Sequence, residues 1–125
     1  MFEITGIQHA SFLVADLKPA LDFYHGVLGM TIVPDRPELG YPGAWIQIQS
    51  QQIHLLQLPN PDPIEGRPQH GGRDRHVAFE IINLDALIAK LKTAGIAYTL
   101  SRSGRQALFC RDPDGNALEF IEKTE

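Results

Sequence analysis

Apolar and polar residues alternate in two segments of the chain, and helical spacing follows each of them. Residues 9–14 alternate, and Asp16 then precedes apolar side chains at intervals of three and four; residues 76–81 and Asn83 repeat this order. Asp16 and Asn83 are good N-cap residues because their side-chain oxygens can accept hydrogen bonds from the unpaired amides of a first helical turn. Each segment therefore predicts a strand followed by a helix.

The two segments are copies of one longer pattern. HASFLVADLKPALDFYHGVLGMTIV, from His9, aligns with HVAFEIINLDALIAKLKTAGIAYTL, from His76, and after one gap Gly29 aligns with Gly95. Three strand-like stretches follow each predicted helix: residues 30–34, 44–49 and 52–57 in the first copy, and 97–100, 105–110 and 116–121 in the second. The unit is βαβββ, and its repetition predicts an α+β fold in which tandem modules form a curved mixed sheet with helices on the convex face.

The length of 125 residues fits one domain. We predict a single domain over residues 1–125, with a first module over 4–58, a connector over 59–72 and a second module over 73–122. The connector contains four of the nine prolines, which pair poorly in a sheet.

Composition and charge argue against nucleic acid and membranes as binding partners. A net charge of −4 argues against a nucleic-acid-binding protein, whose binding domain is usually basic. No apolar run reaches the roughly 20 residues needed to span a bilayer, and the first residues do not resemble a signal peptide. The single cysteine, Cys110, excludes an intrachain disulfide and is expected to be a buried apolar residue. We therefore expect a cytoplasmic protein that binds neither nucleic acid nor membrane.

Four potential metal ligands lie at repeat-related positions in the predicted strands. His9 and His76 begin the first strand of each copy, and His54 and Glu119 lie in the last strand of each copy. Strand parity places them on the face away from the helices, where a curved sheet would form a cavity. Three imidazoles and one carboxylate suit a divalent transition metal such as Zn, Ni, Co, Mn or Fe. A cation would also explain a carboxylate between apolar neighbours in ALEFI.

Parity adds four candidate substrate-binding residues, which are Trp45, Gln47, Arg105 and Phe109. Arg105 could hold a carboxylate or phosphate, while Trp45 and Phe109 could form an apolar wall. A surface arginine and ordinary core aromatics explain the same residues equally well. His70 is interpreted as a loop residue that could reach the cavity.

The paired modules, together with DFYHGVLGM and DPDGNALEFIE, resemble the vicinal oxygen chelate superfamily over essentially the whole chain. That superfamily includes glyoxalase I, extradiol dioxygenases and bleomycin-resistance proteins. The resemblance implies a metal held by His9, His54, His76 and Glu119, and a homodimer whose sites often draw on both subunits. It further implies a Lewis-acid role for the metal and makes Glu119 the ligand that could act as a general base.

Departures from the glyoxalase I pattern narrow the expected function. His54 replaces a glutamate, and Leu13 and Leu58 stand where glutathione-binding residues are usual. We expect a metal-dependent, glyoxalase-like isomerase or lyase that acts on a small, oxygen-rich and possibly anionic substrate without glutathione. The alternatives are an Fe(II) ring-cleaving dioxygenase of the extradiol type and a non-catalytic small-molecule-binding protein.

Overall fold

A computed structural model describes residues 1–123 and contains two four-stranded mixed sheets. The elements follow the chain in the order β1 (His9–Val14), α1 (Leu17–Leu21), a π-helical segment (Asp22–Val27), β2 (Thr31–Ile32), β3 (Gly43–Ile48), β4 (Gln51–Gln57), a 3₁₀ turn (Gly71–Arg73), β5 (His76–Ile81), α2 (Leu84–Ala94), β6 (Tyr98–Leu100), β7 (Ala107–Arg111) and β8 (Ala117–Glu122). The α+β fold with tandem modules is confirmed.

The two sheets have the same topology. Their strand orders are β1-β4-β3-β2 and β5-β8-β7-β6, and in each the first and last strands of the module are parallel neighbours. The remaining pairs are antiparallel. The strands therefore form two sheets, one for each module, where the sequence had suggested a single curved sheet.

Both helices begin as the repeat predicts. The Asp16 side chain accepts from Lys18 N at 3.2 Å, and the Asn83 side chain accepts from Ala86 N at 3.2 Å. Gly95 ends α2 with a φ of 71°, a left-handed conformation that glycine adopts without steric cost.

The first helix differs from the regular helix that its spacing predicts. After Leu21 it widens into π-helical turns, so that Leu28 N donates to Phe23 O at 2.9 Å. The consecutive side chains of Phe23 and Tyr24 lie in the core, with only 5% and 0% of their surfaces exposed. Together with buried Ala20 they have the i, i+3, i+4 spacing of a buried helical face, so their burial agrees with the helical period and the π-helical widening is the feature that the period did not predict.

One hydrophobic core joins the two modules. It contains Phe12 and Tyr24 from the first module and Leu91 and Leu118 from the second. At its edge the hydroxyl of Tyr24 donates a 2.7 Å hydrogen bond to buried Asp112, in the turn between β7 and β8. Burial and the neighbouring carboxylate raise the pKa of Tyr24, so its hydroxyl keeps the proton that it donates.

Cys110 is buried in the same core. Burial, followed by the nearby charge of Asp112, raises the pKa of its thiol to about 12. The side chain is therefore an unreactive apolar residue, as predicted. None of the helices found in residues 1–123 has the length and hydrophobicity needed to cross a bilayer.

Candidate metal centre

The sheet registers place the four predicted ligands in equivalent positions. In the first sheet Ser11 is paired with His54, so His9 lies diagonally across from His54 on the same face. In the second sheet Ala78 is paired with Glu119, and His76 takes the corresponding diagonal position. The duplicated sequence therefore produces two equivalent pairs of polar side chains.

His76 and Glu119 form the closer pair. Nε2 of His76 lies 3.2 Å from Oε1 of Glu119, whose residue is 2% exposed. Nδ1 of His76 lies 2.9 Å from the carbonyl oxygen of Asp74, which can only accept, so Nδ1 carries a hydrogen. Nε2 then faces the carboxylate either as the second N–H of an imidazolium or with a bare lone pair. The second arrangement requires a cation between the two side chains.

The separation of this pair fits two ligands of one ion. Ligands at about 2.1 Å from a metal are about 3.0–3.4 Å apart when they subtend angles between 90° and the tetrahedral value. The distance of 3.2 Å between Nε2 and Oε1 falls in that range. The buried carboxylate and the fixed imidazole are therefore suited to hold a divalent transition metal.

Asp74 fixes the backbone that orients His76. Its carboxylate accepts hydrogen bonds from Nε of Arg67 at 2.8 Å and Nη1 of Arg111 at 2.8 Å, and its side chain is 10% exposed. The hydrogen bond from Arg67, aided by the one from Arg111, holds the pKa of Asp74 well below its ordinary value. The Asp74 carbonyl thus reaches His76 from a rigidly bound residue, as second partners of metal-ligating histidines commonly do.

Arg105 approaches Glu119 from the other side. Its Nη2 lies 3.3 Å from Oε2 of Glu119, and its side chain is 56% exposed. The sequence had placed Arg105 in a strand from 105 to 110, but β7 begins at Ala107 and Arg105 lies in the preceding loop. The backbone N–H of Ser101 donates to Ala107 O, which is the last hydrogen bond between β6 and β7 at this end of the sheet. Residues 101–106, including Arg105, therefore form the loop that connects the two strands.

His9, His54 and Trp45 form a stack of three rings in the first module. The His54 ring lies 4.5 Å from the Trp45 ring with an interplanar angle of 8°, and 3.9 Å from the His9 ring with an angle of 15°. Trp45 is paired directly with His54 in the register of β3 and β4. Trp45 therefore contacts a predicted ligand and restricts the rotation of its ring.

The side chains of two glutamines, Gln47 and Gln52, determine which nitrogen of His54 carries its proton. Nε2 of Gln47 donates to the backbone oxygens of Gln49 and Gln51, at 2.7 and 3.2 Å, which fixes the orientation of its amide. Its Oε1 then accepts from Nε2 of Gln52 at 2.8 Å, so Oε1 of Gln52 is the atom 2.8 Å from Nε2 of His54. That nitrogen must donate, and Nδ1 keeps the lone pair that a metal would need.

Arg36 is a neighbour of this site that the sequence analysis missed. Partial burial, followed by the charges of His9 and Arg36, lowers the pKa of His54 and favours the neutral imidazole. Nη2 of Arg36 donates to Tyr41 O at 3.2 Å, and Gly43 leaves room for the guanidinium because a Cβ there would lie 2.8 Å from that nitrogen. The sequence feature that could have identified Arg36 is the presence of an arginine in the Pro/Gly-rich loop 34–43.

Phe109 lies between two histidines in the second module. Its ring is 5.2 Å from that of His76 and 4.8 Å from that of His70, both in edge-to-face geometry. Nδ1 of His70 is 2.7 Å from the hydroxyl of Thr99, so His70 is held in place by β6. Phe109 packs directly against a predicted ligand, in the register position that Trp45 occupies in the first module.

The arginines between positions 67 and 111 are mostly engaged with acidic residues. Arg67 and Arg111 contact Asp74, Arg105 contacts Glu119, and Arg75 lies 2.6 Å from Asp62. The positive charges of these four arginines are therefore largely neutralised by carboxylates in the described fold.

The four ligands are brought together as two pairs. Within residues 1–123, no three His, Cys, Asp or Glu side chains converge closely enough to hold one metal ion. Strands β1 and β5, which carry one histidine of each pair, face each other across a cavity of about 280 Å³ lined by Ser11, Leu13, His76 and Val77. The pairs therefore lie on separate sheets, and of the four predicted ligands His76 is the one that lines this cavity.

Comparison with known proteins gives consistent matches over nearly the whole chain. Residues 6–120 match the glyoxalase/bleomycin resistance protein/dioxygenase superfamily. Glyoxylase I 4 from Arabidopsis thaliana is 30% identical over 122 residues, which cover 94% of this chain and 70% of the relative.

Solved structures agree with this match. A glyoxalase family protein from Bacillus anthracis superimposes with a TM-score of 0.81 at 26% identity, over 99% of both chains. A mutant of the fosfomycin resistance protein FosX from Listeria monocytogenes, in complex with Mn(II) and 1S,2S-dihydroxypropylphosphonic acid, gives a TM-score of 0.76 at 18% identity. That alignment covers 98% of this chain and 95% of the FosX chain, and it supports the fold alone.

Proposed function

The chain belongs to the glyoxalase/bleomycin resistance protein/dioxygenase superfamily, and from this premise we propose that it is a metal-dependent, glyoxalase-like enzyme. It binds a divalent transition metal through His9, His54, His76 and Glu119 and carries out isomerase or lyase chemistry on a small, oxygen-rich, anionic substrate. Glutathione is not its cosubstrate.

The contact between His76 and Glu119 is the observation that carries this proposal. A 2% exposed carboxylate faces an imidazole nitrogen at 3.2 Å, and the other nitrogen of that ring already donates to a backbone carbonyl. Burying a charge is costly unless a counter-charge accompanies it, and Arg105 meets this need at Oε2. The other oxygen, Oε1, faces the imidazole nitrogen at a separation that suits two ligands of one metal ion, which supports cation binding.

A homodimer completes the proposed site. Each chain has two ligand pairs on separate sheets, and a second copy allows the pair of one module to meet the opposite pair of its partner. The first residues support such an interface, since Phe2, Ile4 and Ile7 are 88%, 85% and 75% exposed. A second copy that covers these apolar side chains would remove them from water.

The proposed ligands and the residues beside them have different roles in the reaction. A bound divalent metal supplies Lewis-acid stabilisation of negative charge on substrate oxygens. Glu119 is the one carboxylate of the set and can accept a proton from the substrate carbon. Trp45 and Phe109 form apolar walls beside the ligands, and Gln47 fixes the glutamine chain that orients His54.

The charge of the site favours an anionic substrate. Three neutral imidazoles and one carboxylate leave a divalent ion with one uncompensated positive charge. The FosX structure provides a parallel, since it contains Mn(II) together with an oxygen-rich phosphonic acid.

Metal analysis and a substrate screen test the proposal. Protein purified without oxygen is analysed for bound metals, stripped, and reloaded with Zn, Ni, Co, Mn or Fe(II) before assays with α-oxo-aldehydes, 1,2-diols and catechols. Metal-dependent turnover of an oxo-aldehyde or diol is expected. Activity with Fe(II) and catechol alone, with consumption of dioxygen, would identify a dioxygenase instead. Equal ligand binding by metal-free and metal-loaded protein without turnover would identify a binding protein.

A further inference from the structure

Two side chains contact the carboxylate of Glu119, each at a different oxygen atom. His76 faces Oε1, while Nη2 of Arg105 lies 3.3 Å from Oε2. The Glu119 side chain is 3% exposed, whereas the Arg105 side chain is 56% exposed. Arg105 therefore reaches a buried carboxylate from the solvent.

We infer, on the basis of the proposed function, that Arg105 is an exchangeable counter-ion of Glu119: it competes with the metal for the carboxylate and, once displaced, binds the anionic group of the substrate. The sequence analysis identified Arg105 only as a candidate contact for a substrate carboxylate or phosphate. The exchange implies an order of binding. The metal binds first and displaces Arg105 from Glu119, and Arg105 can then bind the substrate.

Electrostatics requires the competition. A buried carboxylate with neither the metal nor the arginine beside it would carry an uncompensated charge, so the presence of one of these cations is strongly favoured. Both together are unfavourable, because a guanidinium in contact with Glu119 would lie within a few ångströms of a divalent ion bound to the same group. The arginine is the cation that can leave, since more than half of its side chain is already in water.

The loop Ser101–Gln106 permits this movement. Arg105 precedes β7, and apart from Glu119 its side chain contacts Ser103, whose Oγ is 3.1 Å from Nε. A rotation of the side chain about this anchor would turn the guanidinium away from Glu119 and into solvent without breaking strand hydrogen bonds. There its planar fork suits a carboxylate, phosphate or phosphonate group.

Calorimetric titration of metal-stripped protein with Ni²⁺ or Zn²⁺ tests the competition. Arg105→Gln removes the competing charge, and we expect the metal to bind about tenfold more tightly, which is a common size for coupling between adjacent charges. Arg105→Lys retains a cation and should bind metal within about threefold of the wild type. Arg102→Gln alters an exposed arginine of the same loop and should leave the affinity unchanged.

The second measurement uses methylphosphonate as the anion probe for metal-loaded protein. Arg105→Gln should weaken its binding at least about tenfold relative to the wild type and Arg102→Gln. Thermal unfolding of each variant establishes that it is folded.

The outcomes separate this inference from the proposed function. Metal binding that is equally tight in the wild type and in Arg105→Gln, or anion binding that is insensitive to Arg105, overturns the counter-ion exchange and leaves the metal site in place. A wild-type protein that binds no divalent metal overturns both.

Discussion

Oε1 of Gln52 accepts a 2.8 Å hydrogen bond from Nε2 of His54. The orientation of the Gln52 amide is set by Gln47, whose own amide is fixed by two backbone carbonyls. Two residues that are not metal ligands thus determine which nitrogen of His54 is free to bind a metal.

Gln52→Leu should therefore remove the preference for one neutral tautomer of His54. In the wild type, ¹⁵N chemical shifts of the imidazole should show the proton on Nε2, and in the variant they should show a mixture of both forms. Metal affinity should fall about 10–100-fold, as for other second partners of metal-ligating histidines. Gln51→Leu is the matched control, because that side chain is exposed and bonds to Ile7 O. An unchanged His54 spectrum in Gln52→Leu would contradict the assignment.

His76→Ala and Glu119→Gln should each abolish metal uptake while the fold persists. Each substitution removes one of two ligands that face each other at 3.2 Å, and we expect metal affinity to fall by more than about a hundredfold. Metal content after dialysis and far-ultraviolet circular dichroism provide the two measurements. His25→Ala serves as the control, since His25 lies in the π-helical segment, is exposed, and contacts the backbone oxygen of Met30. Full metal content in both ligand variants would refute the site.

Mixing two defective proteins should restore part of the metal binding if the site spans a homodimer. One protein carries His9→Ala and His54→Ala, and the other carries His76→Ala and Glu119→Gln. Random reassociation makes about half of the dimers mixed, and each mixed dimer contains one complete site out of two. Metal content should therefore recover to about a quarter of the wild-type value. No recovery of metal binding, with mixed dimers formed, would contradict a site shared between the two subunits.

Asp74→Asn should lower the free energy of unfolding at neutral pH and make that free energy less dependent on pH in the acidic range. The pKa of Asp74 is held below its ordinary value of 3.8, so the ionised carboxylate stabilises the folded state above about pH 4. That stabilisation is lost as the pH falls through the folded-state pKa. The variant lacks it at every pH, and we expect it to be about 2–3 kcal/mol less stable at pH 7.

Urea unfolding between pH 7 and pH 2 measures this effect. The difference between wild type and Asp74→Asn should shrink as the pH falls below 4, whereas exposed Asp35→Asn should follow the wild type throughout. A constant difference down to pH 2 would show that the charge of Asp74 does not contribute.

The repeat in the sequence was sufficient to predict the α+β modules and the pairing of ligand positions. Side-chain period and cap residues are local properties, and the copies reinforce each other, so Asp16, Asn83 and Gly95 appear at the helix ends where they were predicted. The diagonal relation of His76 to Glu119 follows from the same duplication.

Features that depend on contacts between distant segments could not be predicted in this way. The local spacing predicted a regular helix, and the π-helical turns lie where Phe23 and Tyr24 pack into a core that includes the second module. Arg105 lies outside its predicted strand yet still contacts Glu119, because a long side chain compensates for its position in the loop. The glutamine chain depends on amide orientations, which no sequence pattern encodes.

The hydrogen bond between Tyr24 and Asp112 has a consequence for how this duplicated chain unfolds. Since it closes a core to which both halves contribute, neither half retains a complete interior when the other is lost. Denaturation should therefore proceed in one cooperative transition, and a chain cleaved in the proline-rich connector should keep its two fragments associated until both melt together.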